Sequence, residues 1–361
     1  MKANIKSFLL NLFGSLFSNA RAIDGARTSP FFVAIIMFLI GNFFPVIPIM
    51  VATGSAKGSD FLSGYTYGVE VALAQQTNEI SKLYDFKVND NNELLAYNKD
   101  GTLKSDADEE QPLVEQYVNS NTNNIDLQVY YLNRVPKSKD ASVKTVSTFV
   151  QYLSDKTYKS GTTTEYAKTS KDDETKVYKP SYLILYPQGL VMAIYKDNST
   201  NGGATSYTGC NWKSFEKNTD VISILANVKD SKGANMTPDV KNSAYVNGVL
   251  NNWKDTFNKA FKERKTINFW AQSGMYYGIY LALTLTMGSL LFLLTRGKKN
   301  PFNYMKYHTC VAIEGWSVVA PGLLGMIVGF IFTQYAVMAY IMLLGLRTMW
   351  LSMKQLRPQY N

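Results

Sequence analysis

Three apolar stretches dominate the chain: Pro30 to about Ala52, Phe269 to Thr295, and Cys310 to about Leu351. A bilayer core about 30 Å thick takes about 20 helical residues to cross. The first two stretches therefore each predict one span, while the third is long enough for two. Its polar interruption, Thr333-Gln334, marks the turn between them. Ser29 stands where an N-cap is expected and Pro30 at the first helical position. The pattern predicts transmembrane helices over 30–53, 269–295, 310–333 and 334–352. Pro45, Pro48 and Pro321 are expected to bend the helices that contain them.

Between the first two spans the pattern changes. Residues 60–84 predict a helix with a broken stripe of Phe61, Leu62, Tyr65, Val69, Leu73, Ile80 and Leu83. Val246, Val249, Leu250, Trp253, Phe257, Ala260 and Phe261 keep an i, i+3, i+4, i+7 spacing. That second helix is expected to run on into the second span. Strands lie between the two. Phe86–Val88 with Leu94–Tyr97 predicts a hairpin, and Leu127–Leu132 a further strand. The strongest hairpin joins Tyr182–Tyr186 to Leu190–Tyr195 through Pro187-Gln188-Gly189, whose proline and glycine suit a type I turn. Its almost wholly apolar arms place it centrally in a sheet. Lys156–Lys179 and Asp197–Gly209, rich in Ser, Thr, Gly and Lys, read as mobile loops.

Charge orients these elements. All but two of the 28 acidic residues fall within 54–268, where 26 Lys and Arg balance 26 Asp and Glu. Outside that stretch Asp24 and Glu314 face eleven basic residues, so the whole formal charge of +9 sits on short segments beside apolar runs. Basic residues mark the cytoplasmic side of short loops, whereas long domains cross regardless of charge. One arrangement satisfies every basic segment. Residues 1–29 form a cytoplasmic, amphipathic interfacial helix, 296–309 a basic cytoplasmic loop (Arg296, Lys298, Lys299, Lys306), and 353–361 a cytoplasmic tail. Residues 54–268 are then an extracytoplasmic α+β domain. Trp270, Tyr276, Tyr277 and Tyr280 fall in an outer aromatic belt. Residues 1–20 also mimic a signal peptide, with Lys2, Lys6, an apolar core and Ser18-Asn19-Ala20. Cleavage there would put the 296–309 loop outside, against its charge. The helical spacing of Ile5, Phe8, Leu9, Leu12, Phe13, Leu16 and Phe17 favours a helix lying in the inner interface.

Composition excludes more chemistry than it offers. His308 is the sole histidine, and no HExxH, CxxC, glycine-rich phosphate loop or GxSxG occurs. No catalytic residue, metal site or cofactor is therefore expected, and the chain is read as non-enzymatic. Cys210 and Cys310 fall on opposite sides of the membrane, so no disulfide joins them. Asn98-Lys99-Asp100-Gly101 resembles the middle of a calcium loop, but Ala96 and Ala107 occupy its end ligand positions, so it reads as a hairpin turn. Asp106, Asp108, Glu109, Glu110 and Asp172, Asp173, Glu174 read as solvated loop charge. A pI near 9.2 is explained by topology and anionic lipid rather than nucleic acid. The Lys, Asn and Tyr bias fits an AT-rich bacterial genome. Glu314 and Arg347 are the charges inside spans, and they predict an ion pair between antiparallel neighbours. Gly274 with Gly278, and Gly325 with Gly329, match GxxxG and predict helix-packing faces.

Two resemblances follow from the order of parts. Lys6-Ser-Phe-Leu-Leu-Asn-Leu-Phe-Gly-Ser-Leu-Phe17, a first span ending near Pro45 and Pro48, and Val318-Val-Ala-Pro-Gly322 resemble a poorly characterised firmicute membrane-protein family found with maltodextrin-utilisation genes. That resemblance covers the membrane parts and implies a multi-pass plasma-membrane protein serving as an accessory, partner-binding component of solute uptake. Its partners would be membrane lipid and a membrane or surface protein. Ile313-Glu314-Gly315, Gly322-Leu-Leu-Gly325 and Gly329 are similar to the third span of the one-plus-three permeases of cell-division and lipoprotein-release ABC systems. The alternative it implies is a permease-like subunit moved by a separate ATPase. Arg296-Gly-Lys-Lys-Asn300 departs from that family's Arg-x-x-Glu-Ile, having no acid.

Overall fold

The structure, a computed structural model, describes residues 2–62, 69–104, 113–132, 146–166, 177–195, 204–209, 212–297 and 300–356. The chain divides into two compact units: a helical unit of residues 1–55 and 265–361, and an α/β unit of residues 56–264 inserted within it.

In chain order, the helical unit begins with α1 (Lys2–Phe17), α2 (Asn19–Thr28), α3 (Phe31–Phe43) and α4 (Ile47–Ser55). The expected single amphipathic helix over 1–29 is corrected. The chain breaks at Ser18, which is extended at φ −132° and stands at the N-cap of α2, and α1 and α2 pack on each other. The α/β unit follows with α5 (Val69–Leu83), β1 (Tyr84–Val88), β2 (Leu94–Asn98), β3 (Leu113–Val118), β4 (Ile125–Tyr131) and α6 (Val146–Asp155). It continues with β5 (Tyr158–Lys159), β6 (Val177–Tyr178), β7 (Ser181–Tyr186), β8 (Gly189–Tyr195), β9 (Ala204–Gly209) and α7 (Val221–Ala226). Helix α8 (Ser243–Leu294), 52 residues long, starts in this unit and ends in the helical one. The chain closes with α9 (Tyr307–Ser317), α10 (Val319–Ile331) and α11 (Ala336–Trp350).

The α/β unit is built on a five-stranded sheet in the order β3-β4-β7-β8-β9. The two expected hairpins are present, β1 on β2 and β7 on β8, with Tyr186 opposite Gly189 across the Pro187-Gln188 turn. Every residue of β4 and β8 is buried, β8 as an apolar run in the middle of a sheet and β4 with Asp126 and Gln128 among its apolar residues. One face carries α5, α7, the β1–β2 hairpin and the first part of α8, whose Tyr245, Val249, Trp253 and Phe257 are buried. Trp253 donates its indole N–H to Thr77 Oγ1 at 2.8 Å. The other face is covered by α6 through Phe149 and Leu153.

Two loop expectations are corrected. Ala204–Gly209 is strand β9, and Lys156–Lys179 contains the β5–β6 ladder. Thr205, Tyr207 and Thr208 have the β-propensity that the loop reading underweighted. The β4–β7 pair is parallel and is joined through α6, a long-range pairing with no local sequence signal. Asn98-Lys99-Asp100-Gly101 is a turn, with Gly101 N–H donating to Asn98 O at 2.9 Å and Gly101 at φ +85°, where glycine is favoured. The clusters at Asp106–Glu110 and Asp172–Glu174, and with them Cys210, Lys298 and Lys299, lie outside the described residues.

Four helical stretches are long and apolar enough to cross a membrane: 31–55, the apolar part of 243–294, 307–331 and 333–355. What they bury supports membrane association. Helix α3 buries Ala34, Met37, Gly41 and Asn42 while exposing Phe32, Ile35, Ile36, Leu39 and Ile40. Large apolar side chains outside and small or polar ones inside would be backwards in water, and they suit a hydrocarbon solvent in which helices associate by close backbone approach.

The first and third spans are both interrupted. Pro45 has no N–H to give the Gly41 carbonyl, and the helix tightens to a 3₁₀ turn over Phe44–Val46. Pro321 likewise deprives the Ser317 carbonyl, and α9 gives way to α10 at Val318. The interruptions meet: a Cβ on Gly322 would lie 2.1 Å from Gly41 O, and a Cβ on Gly41 would lie 2.5 Å from Val318 Cγ1. The two GxxxG motifs behave differently. Gly325 packs on Tyr340 and Pro45, and Gly329 on Pro48 and Ala336. Gly274 and Gly278 are corrected as a packing pair, because a Cβ on either would meet nothing within 4 Å among the described residues.

Candidate functional site

Two groups of buried polar side chains in the helical unit lie along one face of α11, at Tyr340 and at Thr348, eight residues and about 12 Å apart along a helix axis. The first group joins three helices. Asn42 Oδ1 on α3 accepts from Thr284 Oγ1 of α8 at 2.7 Å and from Tyr340 Oη of α11 at 2.6 Å. Both lone-pair directions of one amide oxygen are thereby used, and Asn42 Nδ2 donates back to Phe38 O at 2.7 Å. Tyr280 stacks beside Tyr340 with ring centroids 4.6 Å apart, and its own hydroxyl is buried with no hydrogen-bond partner.

The second group holds Glu314, only 1% exposed. Thr348 Oγ1 of α11 bonds Oε1 of this carboxyl, and Ser317 Oγ, one turn along α9, lies 3.1 Å from Oε2. Gly288 of α8 flanks the same side chain, since a Cβ there would lie 3.8 Å from Glu314 Cβ. Glu314 thus sits where α8, α9 and α11 converge, close before the α9–α10 interruption.

The expected Glu314–Arg347 ion pair is corrected. Arg347 directs Nε to Asn19 Oδ1 at 3.2 Å and Nη2 to Ser15 O, near the break between α1 and α2. Consecutive helix positions point about 100° apart. Thr348 therefore takes the face towards Glu314, and Arg347 the face towards the N-terminal helices. A cation beside the last carbonyls of α1 is also favoured by the helix dipole. Arg347 thus hydrogen-bonds to the α1–α2 region and makes no direct ion pair with Glu314, on which it acts only through space.

Described residues on either side of 298–299 make side-chain contacts after α8. Arg296 reaches Met305 O and stacks over Phe292 at 4.1 Å, while Asn300 Nδ2 donates to Leu356 O at 3.1 Å. Lys306 is exposed, and Arg27 lies over the Phe302 ring at 5.9 Å. His308, also exposed, makes an edge contact with Phe31. Buried Cys310 contributes to the core beneath the loop.

In the α/β unit, no group of three or more His, Cys, Asp or Glu side chains is placed to hold a metal among the described residues. At one end of its strand order lies β9, which pairs with β8 alone among the described strands and packs beside the turn at Asp60–Leu62. Ala204-Thr-Ser-Tyr-Thr-Gly209 carries no charge and no proline. Asn42, Thr284, Tyr340, Thr348 and β9 were all missed by sequence reasoning. The signal available for the first four was a polar residue within each apolar run. Comparison with protein-family models, with curated proteins and with solved structures found no match to this chain.

Proposed function

We propose that this chain is a non-enzymatic, multi-pass plasma-membrane protein with both termini cytoplasmic, and that its inserted domain binds a protein partner on the outer face. The observation that carries this reading is the edge of the five-stranded sheet. Most natural edge strands are guarded by lysine, proline or a bulge, because unpaired backbone N–H and C=O groups invite another strand. β9 has no such guard in its own sequence, although the turn at Asp60–Leu62 packs beside it, and strand addition to a sheet edge is a recurring way to hold an extended peptide. By the resemblance in its membrane parts, the partner belongs to a solute-uptake system. A second reading, a permease-like subunit moved by a separate ATPase, draws on the basic segment after α8, where Arg296 and Asn300 are hydrogen-bonded and Lys306 is exposed.

The two readings separate in one experiment. The full chain is purified in mild detergent from its own membranes, and co-purifying proteins are identified by mass spectrometry. Loss of a stoichiometric membrane or surface protein in Thr205→Lys/Thr208→Lys, with the fold intact, is the expected result. Loss of an ATPase on neutralising Arg296, Lys298, Lys299 and Lys306, with no effect of the β9 changes, would replace the first reading by the second.

A further inference from the structure

We propose that Glu314 is a buried proton-binding site, carried as a neutral acid that donates its proton to Thr348. Hydrogen counting leads there. Four contacts surround the carboxyl: Ser317 Oγ with Glu314 Oε2 and with Glu314 O, both at 3.1 Å, Thr348 Oγ1 with Glu314 Oε1, and Thr348 Oγ1 with Leu344 O at 2.9 Å. The two hydroxyls bring one proton each. The backbone carbonyls only accept, and an ionised carboxylate only accepts. With Glu314 ionised, Thr348 could serve the carboxylate or Leu344 O but not both, and one buried contact would set two acceptors against each other. A proton on Oε1 removes the conflict at Thr348, while Ser317 still shares one proton between two acceptors. Glu314 donates to Thr348 Oγ1, Thr348 donates to Leu344 O, and Ser317 keeps its own proton for Oε2 or the Glu314 carbonyl.

The charges nearby agree. A buried carboxylate is tolerated when a cation pairs with it. Among the described residues no cation lies within ion-pair distance of Glu314, Arg347 acting on it only from farther off. Ionisable groups on the elements packed against α9 are Arg21, Asp24 and Arg27 of α2, Tyr340 and Arg347 of α11, and Tyr307, His308 and Cys310 of α9 itself; α1 adds Lys2 and Lys6. Helix α8, which meets α9 at Gly288, carries Tyr276, Tyr277 and Tyr280 in its apolar part and its charged residues in its first half. Among the described side chains only Ser317 and Thr348 reach the carboxyl oxygens. Arg347, the cation next to Thr348 on α11, is hydrogen-bonded to Ser15 and Asn19 and acts on Glu314 only through space.

The proton has a structural consequence. It is a link in the chain of donors that joins α9 to α11, so separating those helices exposes an acid free to ionise, and repacking them requires a proton to be taken up. This is independent of which partner the inserted domain binds.

Infrared spectroscopy of the full chain in lipid nanodiscs at neutral pH tests it. The wild-type spectrum minus that of Glu314→Gln should show the C=O stretch of a protonated carboxylic acid. Glu314→Gln should keep the wild-type melting temperature, because its amide N–H can donate to Thr348 in place of the acid. In Thr348→Val the acid band should persist at a higher frequency, having lost its acceptor. Carboxylate bands in the difference spectrum, in place of the acid band, would overturn the proposal. If Glu314→Gln yields no folded chain, wild type against Thr348→Val decides alone: a shifted acid band supports the proposal, and a shifted carboxylate band refutes it.

Discussion

The two units of this protein solve the packing problem in opposite ways. The α/β unit buries its largest apolar side chains, among them Trp212, Trp253, Tyr245 and Phe257, and its sheet is covered on both faces. The helical unit places Gly41, Gly315 and Gly322 at its tightest contacts, keeps Asn42, Thr284, Glu314 and Thr348 inside, and turns Phe32, Ile40 and Leu293 outward. Water drives the first arrangement, because apolar area removed from it stabilises by about 25 cal/mol per Å². Hydrocarbon offers no such gain, so close backbone approach and buried hydrogen bonds hold the second. Both units bury large rings, with Trp316, Tyr280 and Tyr340 inside the helical one, and the contrast lies in the row of large apolar side chains that α3 turns outward.

This contrast can be broken at its tightest point. Gly322→Val would drive a Cβ against the Gly41 carbonyl, a backbone atom that cannot swing aside. The expected cost exceeds the about 1–3 kcal/mol of ordinary overpacking, read as loss of a folded chain in detergent. Gly274→Val, with open space around its Cβ, should leave the melting temperature close to wild type. Equal effects of the two changes would mean that α3 and α10 do not meet as described.

Next in size is a pair of lysines placed at similarly exposed positions, Ile40 at 44% and Leu103 at 50%. Ile40→Lys puts a charge on the outward face of a span and should cost about 2.5–3.5 kcal/mol by insertion scales, measured as reduced membrane integration. Leu103→Lys, on the surface of the α/β unit, should change stability by no more than about 0.5 kcal/mol. If both were neutral, the outward face of α3 would not be in lipid.

The smallest effect sharpens the α/β side alone. Burial pushes the phenols of Tyr130, Tyr178, Tyr182 and Tyr245 above the ordinary tyrosine value. The folded state binds these protons more tightly than the unfolded one, so their contribution is fully present below pH 10 and is lost as pH rises beyond it. An absorbance titration should show these four ionising late and together with unfolding, not as independent surface phenols.

How far these features could be read in advance depends on the range of the interaction behind them. The spans were legible because a bilayer demands long unbroken apolar runs, and the β7–β8 hairpin because Pro187 and Gly189 punctuate two apolar arms. The start of α8 was legible because its stripe repeats at helical spacing. The Glu314–Arg347 pair was inferred from rarity of charge and depth alone. It failed because a residue's azimuth around its helix, not its depth, decides what it touches, and Thr348 next door had the better angle. Gly274 and Gly278 failed similarly, since a spacing names a helix face without saying whether another helix covers it.

By itself, then, the sequence determined the number of apolar spans, the insertion of a charge-balanced domain between the first two, and the local hairpins and helices of that domain. These depend on periodicity, length and turn chemistry, all of which act over a few residues. Only the tertiary structure decided that β4 runs parallel to β7 and that β9 is a strand at the sheet edge. It alone decided that Arg347 hydrogen-bonds to the α1–α2 region, and that Glu314 rests between Ser317 and Thr348. Those outcomes join residues as many as 332 positions apart, as Arg347 and Ser15 are. No local pattern encodes which of several compatible faces will meet once the chain has closed upon itself.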